Sequence, residues 1–451
     1  MVPTAAGAGS QSAYLPLTHN STTYHVPMFP STRTAPVVQA QSPNIQVDST
    51  IGAVDCGHAY GNNTLALYCD TGLALTNTLG SNTIVIGDTD TAVMGDSVIN
   101  IGNSNLLGGS SGASSLYIGV NAGYNSTLTT NNIAIGNSVM HTTGTLLTQN
   151  NIGIGQYALR EVGGATPSAF QTAIGYYAGY QSTLTGESNL LIGSNTGYGG
   201  ALQSYNTVVG IDALKNGSVS SSNVILGVSS CNNADLGSHN VAIGNSVLRD
   251  VVSSSTDYCV AMGYHAGYQA SAIGDQTILI GREVGEASNL TGDNIFIGWQ
   301  AGMSSTVSSG ANTIMGSFAG KGSTFVSSNV GLGARALSST SPFVCTVGSD
   351  VVAIGNRAGE SAFVNKTINS GAILLGARST RGAGNTVVAA NEVLFGYDCN
   401  ASNVAGRLRF QNREAPATTA TAGAQTLPAN PDCFIPLVIN NVLYKMPAYL
   451  P

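Results

Sequence analysis

The chain has 451 residues, a formal net charge of −7 and only 15 Lys and Arg, which leaves no basic surface for nucleic acid. Charged residues make up 8% of it, against about 25% in a typical globular protein, and 57 glycines with abundant Ser, Thr, Asn, Ile and Val take their place. That mix suits stacked strands and tight turns, not the high-charge, weakly hydrophobic composition of a disordered chain. No apolar run reaches the roughly 18 residues of a membrane helix. The start, Met1 to Ser10, has neither the positive charge nor the apolar core of a signal peptide, so synthesis in the cytosol without membrane insertion is expected. The seven cysteines (56, 69, 231, 259, 345, 399 and 433) form no Cys-x-x-Cys pair. Neither a disulfide framework nor a zinc site is expected from them, and no cofactor or metal is expected anywhere. Three of them occupy repeat positions otherwise held by small or apolar residues and read as buried thiols.

The first 50 residues are rich in Pro, Ser and Thr. Within them Tyr14 to Phe29 alternates on either side of Asn20-Ser21 and predicts a β-hairpin. The stretch Phe434 to Tyr449 repeats its grammar: a shift of 420 superposes Tyr24 on Tyr444 and Pro27 on Pro447. Both hairpins are expected to cap exposed strand edges or to act as docking modules.

Residues 51–82 carry a degenerate repeat, as a terminal unit should. A glycine then recurs at 87, 102, 119, 136, 155, 175, 193, 210, 227, 244, 263, 281, 298, 316, 333, 355, 376 and 396, mostly at steps of 17 or 18 residues. Four residues before it, nine units carry Asn: Asn132, Asn151, Asn189, Asn206, Asn223, Asn240, Asn294, Asn312 and Asn329. Three and four residues after it comes a small-small or small-Leu pair, such as Ala178-Gly179 or Ala213-Leu214. Length variation falls in the loop that follows. The expected layout is an N-terminal anchor or cap over 1–50, a repeat shaft over 51–400, and a tether with its hairpin over 401–451.

A unit this short has no room for the crossover helix of a βαβ element. An all-β, parallel β-roll or solenoid is predicted, with the asparagines forming a hydrogen-bonded ladder and the glycine making a corner. Eighteen units at about 4.8 Å each would span roughly 85 Å. In Asn132-Ile-Ala-Ile-Gly136 the two isoleucines point one way and Ala134 the other, so both faces are apolar. A strand apolar on both sides is buried on both sides. One side is expected to fill the coil and the other to be covered by a second copy in a homo-oligomer, a trimer.

The repeated core Asn-x-Ala-Ile-Gly-x-x-Ala-Gly/Leu, with Asn240 to Leu248 as its near-copy, resembles the head repeats of trimeric autotransporter adhesins. It is similar also to arrays in fibre proteins of phages and large viruses. The resemblance covers about 310 residues and implies a trimeric, left-handed parallel β-roll that serves as a stalk or head for surface attachment. The closing segment is similar to hairpins that end viral fibre-like proteins, whereas no secretion signal or membrane anchor of an autotransporter is seen. The resemblance therefore implies a virion fibre or capsid-associated appendage at the virion surface. Its partners would be its own copies, other virion proteins through the termini, and a host-surface glycan. An autotransporter-type adhesin and a polysaccharide-degrading tailspike are the alternatives.

Candidate sites are sparse. Gly331-x-Gly333-x-x-Ala336 and Gly316-x-x-x-Gly320-Lys321 approximate nucleotide motifs, but both are ordinary copies of the repeat and precede no helix. Asp88, Asp90 and Asp96 lie together in an early turn, where solvated loop acids are the ordinary reading and calcium ligands the sharper one. Glu283 and Glu286 are the acids a glycoside-cleaving reading would need, and no catalytic role is assigned to them. Tyr124, Tyr180, Tyr198 and Tyr268 all stand five residues after the glycine. They are candidate glycan contacts if exposed, although packing between coils or chains is the commoner fate of such a stripe.

Overall fold

The structure is a computed structural model of the chain. It describes residues 79–394 apart from 88–92, 143–146, 164–167, 252–255, 341, 362–364, 380–386, 389 and 392, together with the backbone of residue 78 and strands 13–19, 22–28, 45–48, 59–60, 65–68, 393–395, 433–439 and 442–448. Two compact units divide the chain, Met1–Gly406 and Arg407–Pro451.

The larger unit is a parallel β-solenoid without a helix among the described residues. Its main sheet holds twenty strands, from Ile45–Asp48 to Val393–Phe395. Each strand pairs in parallel with the one a coil before and a coil after, and equivalent repeat positions stand opposite one another, as Ala242 does Ala261. The roll begins before residue 51, because the alternating segment Ile45–Asp48 already pairs with Leu65–Tyr68. A second face is built from short strands in three separate sheets. Antiparallel hairpins are present as expected, pairing Ala13–His19 with Thr22–Met28 and, in the smaller unit, Cys433–Ile439 with Val442–Ala448.

Glycine is required at the corner for two reasons. The φ of Gly244 is +137°, a region closed to residues with a side chain, and the repeat glycines from 87 to 376 all lie between +97° and +144°. A Cβ on Gly244 would also sit 2.0 Å from the carbonyl oxygen of Gly263 one coil on. The corner therefore fixes the spacing of neighbouring coils.

The interior is thin and filled by volume exchange between coils. The middle residue of each strand is buried: Tyr117, Ala134, Leu191, Ala242, Phe296, Leu374. The residue four after the corner adjusts to it. Beside Tyr117, Leu191, Phe296 and Ile314 it is Gly123, Gly197, Gly302 and Gly320; beside Ala134, Gly153, Ala242 and Gly331 it is Met140, Leu159, Leu248 and Leu337. A Cβ on Gly302 would lie 2.5 Å from the Phe296 ring. Ala261 and Gly267 are small together because Leu248 and Leu279 of the adjacent coils reach into their space. Small-small and small-Leu pairs are thus two solutions to one packing problem.

Gly244→Ala is expected to cost at least about 2 kcal/mol, from left-handed backbone strain and the clash with the next coil. Val228→Ala, at an exposed side chain, is expected to stay within about 0.5 kcal/mol of the parent. Thermal or denaturant unfolding of both variants measures the difference.

Candidate functional site

The asparagines lie in register at the entry to the strands, and all nine are buried. The side-chain carbonyl of one accepts the backbone N–H of its counterpart in the next coil: Asn223 N–H to Asn206 Oδ1 at 2.9 Å, Asn240 N–H to Asn223 Oδ1 at 2.8 Å, Asn329 N–H to Asn312 Oδ1 at 3.1 Å. The same link joins Asn151 to Asn132, Asn206 to Asn189 and Asn312 to Asn294. The amide ends serve turn carbonyls, as Asn223 Nδ2 donates to the carbonyl of Gly237 in the next coil at 3.0 Å. A second ladder was not anticipated. Ser126, Ser288 and Ser323, seven residues after their corners, donate to carbonyls of the next coil, those of Met140, Gly302 and Leu337. The recurrence of a small residue at that position was its visible sign.

The face left uncovered is the one formed by the first and third residues of each strand. On either side of each buried middle residue the big apolar side chains point out of the coil: Ile133 and Ile135 against Ala134, Val241 and Ile243 against Ala242. All are partly or largely exposed, Ile280 at 37%, Ile354 at 41% and Val393 at 49%. With strands about 4.8 Å apart, two such columns along the seventeen strands from Ile84–Ile86 to Ile373–Leu375 make a strip of roughly 80 by 10 Å, about 800 Å² of largely apolar surface. Compact monomers rarely expose a contiguous patch beyond about 300–600 Å².

The two edges of this face differ in charge. The turns before the strands carry Asp96, Glu187, Asp257, Asp275, Asp293 and Asp350 and, among the described residues, no Lys or Arg. The turns after the glycine form a ridge holding every described Lys and Arg except Lys366, usually beside an acid: Arg160 with Glu161 at 3.0 Å, Lys215 with Asp212 at 3.5 Å, Arg249 with Asp250 at 3.4 Å, Arg282 with Glu283 at 2.8 Å.

The four expected tyrosines stand on this ridge, half-buried. Tyr180 stacks on Tyr198 at 5.1 Å and donates its hydroxyl to Glu161; Tyr124 meets His141 edge-on at 4.7 Å; Tyr268 packs on His265 at 4.4 Å. Tyr157, Tyr176 and Tyr177 extend the Tyr180–Tyr198 group, and Tyr176 is 48% exposed. Each ring thus packs against neighbouring coils and shows only part of its surface. Glu283 and Glu286 share the ridge. A hydrogen bond from Gln300 holds the Glu283 carboxyl below its usual range, while burial pushes Glu286 up beside His265. Asp88 and Asp90 lie outside the described residues, as do the side chains of Tyr24, Pro27, Tyr444 and Pro447. The two nucleotide-like motifs are strand and turn, with no helix beside them.

Cys231, Cys259 and Cys345 are buried free thiols, and burial pushes each up to about 12, which removes them as nucleophiles at neutral pH. Lys366 stands in register with Cys345 inside the coil, where it donates to the Glu360 carbonyl at 3.1 Å. Burial pushes its ammonium down to about 8. Among the described residues no group of three His, Cys, Asp or Glu could hold a metal ion, and no helix is long and apolar enough to cross a membrane. Comparison with protein-family models, with curated proteins and with solved structures gives no match.

Two predictions follow from these buried groups. Asn223→Ala leaves the Asn240 N–H and the Gly237 carbonyl short of partners and is expected to cost about 2–3 kcal/mol in unfolding experiments. Unfolded Lys366 keeps its proton to the usual lysine range while the folded chain gives it up near 8, so the charged amine's penalty fades as pH rises between those limits. Lys366→Met is therefore expected to melt higher than the parent at pH 7, with the gap narrowing toward pH 10.

Proposed function

We propose that the chain is a non-enzymatic structural shaft, a β-roll that assembles with copies of itself into a fibre or spike of a virus particle and serves in surface attachment. The observation that carries this reading is the long apolar strip on the outward side of the main sheet. A second copy offers the same strip at the same coil spacing, so each strand row on one chain meets an equivalent row on its neighbour. The area of the strip is comparable to the roughly 800 Å² per partner of a stable interface. The unlike edges favour copies running in the same direction around a common axis, because that arrangement sets an acidic edge beside a cation-bearing one, whereas antiparallel packing sets like beside like. The chain number of three comes from the resemblance to trimeric fibre and adhesin repeats. The sealed interior, the asparagine ladder that links coil to coil and the unreactive thiols suit a part that bears load and spans distance.

Sedimentation or native mass measurement of the full chain should give three times 45.7 kDa. Val241→Lys with Ile243→Lys, both pointing out of the coil, should shift that mass toward the monomer and leave the β-type circular dichroism unchanged. A monomeric parent chain would overturn the reading.

A further inference from the structure

The second face of the roll points away from the apolar strip, so it stays uncovered when the strip packs against another copy. Its short strands show solvent two columns of side chains, one before and one after each buried residue. The column that comes first is built mostly from good strand formers, such as Val93, Thr127, Thr183, Thr306 and Thr324. Two positions break that pattern. Ala201 and Asp235 flank Ser218, each one coil away from it, and both belong to residue types that strands disfavour. Asp235 is also the one charged side chain of this column among the described residues.

The face is hollowed at the same place. A recess of about 210 Å³ opens across four coils, with Thr185, Ala201, Gln203, Ser218, Ser220 and Asp235 around it. Leu202 and Val219 lie beneath, fully inside the coil. Where the column carries threonine elsewhere, the Ala201 methyl leaves room. Among the described residues the Asp235 carboxylate and the Ser218 and Ser220 hydroxyls have no hydrogen-bond partner. Gln203 Oε1 accepts from the Ser221 hydroxyl at 3.4 Å, which leaves the amide N–H groups of Gln203 free.

We propose that this recess binds one ring of a neutral saccharide. A carboxylate only accepts hydrogen bonds, amide N–H groups only donate, and hydroxyls do both. Acceptor and donors stand one or two coils apart, at steps of about 4.8 Å, and a ring with hydroxyls on neighbouring carbons answers both kinds. Hydrogen bonds to the ionised Asp235 are the strong ones of the set. A single carboxylate is too poor a ligand set for a metal ion, and a cationic partner would leave the hydroxyls and the amide unused. The recess is smaller than the roughly 300 Å³ at which pockets for drug-sized ligands begin, which suits one ring of a longer glycan. Copies of the chain around a common axis repeat the recess on every outward face, so weak single contacts sum in avidity. The inference rests on the attachment reading above for its biological role, and its test is read separately from chain number.

The full-length protein is applied to immobilised dextran, mannan and galactan, with polygalacturonate as the charged counterpart. Retention on at least one neutral polymer is expected, little changed by salt and reversed by the matching free methyl hexoside. Asp235→Asn should lower that affinity about tenfold, the loss of a hydrogen bond to a charged group. Ala201→Val fills the recess and should abolish retention. The same column already holds Val93 and Val387, so the roll accommodates valine there, and the melting temperature should stay within a few degrees of the parent. Failure to bind all three neutral polymers overturns the proposal, as does binding that survives both substitutions. Retention on polygalacturonate as strong as on the neutral polymers overturns it too, because Asp235 would repel carboxylates at this site. A monomeric parent that still binds the free hexoside supports this site and overturns only the assembly reading.

Discussion

The close approach of one corner glycine to the next governs this molecule. With φ well into the positive range and the carbonyl of the following coil about 2 Å from where a Cβ would lie, the corner admits no side chain at all. Coils can then sit one strand spacing apart, and every other feature presupposes that spacing. The asparagine amides reach the next backbone N–H because it is one strand away, and side chains at equal positions touch because nothing wedges the coils apart. A cost is paid in backbone entropy for so many glycines, and the many cross-coil hydrogen bonds offset it.

The corner also separates structure from chemistry. Before it, the chain enters through a buried asparagine and a strand whose middle residue fills the coil. After it, the chain turns outward through residues in the left-handed region, and nearly all described cations and many of the aromatic rings are found there. Inside the coil the thiols are pushed far above neutrality, and the side-chain carbonyls of the ladder asparagines are all engaged. What the surface can offer a partner is therefore confined to the outward apolar strip, the turn edges and the outer side of the second face.

The strip and the ridge do different work in the proposed shaft. The strip is continuous and similar in every coil, which suits association of identical chains over their length. The ridge changes character along the stack, from tyrosines around Tyr157–Tyr198 through paired charges to the coils that carry Lys321, Arg335, Arg357 and Arg378. The second face varies as well, with Ala201 and Asp235 set among threonines and valines. A surface that varies along an otherwise regular roll is where selectivity for a ligand can reside.

Much of this was written in the residues. The period, the corner glycine, the buried asparagines and the all-β parallel stack follow from short-range chemistry: glycine at one φ, amide at one register, alternation of period two. The same alternation separates two strand faces without saying which one encloses the core. Only the fold shows that the middle residue, whether Ala134 and Ala242 or Tyr117 and Phe296, faces inward and its two neighbours outward, because the direction of the turn after the corner decides it. The exchange of volume between Gly267 and its neighbours Leu248 and Leu279 was likewise hidden, since each coil read alone looks underfilled. Arg335, Arg357 and Arg378 are separated by 22 and 21 residues, longer than the usual step, and stand at equal positions in successive coils only because the corners stack. Sequence determined the unit; the stacking of units decided which side chains meet.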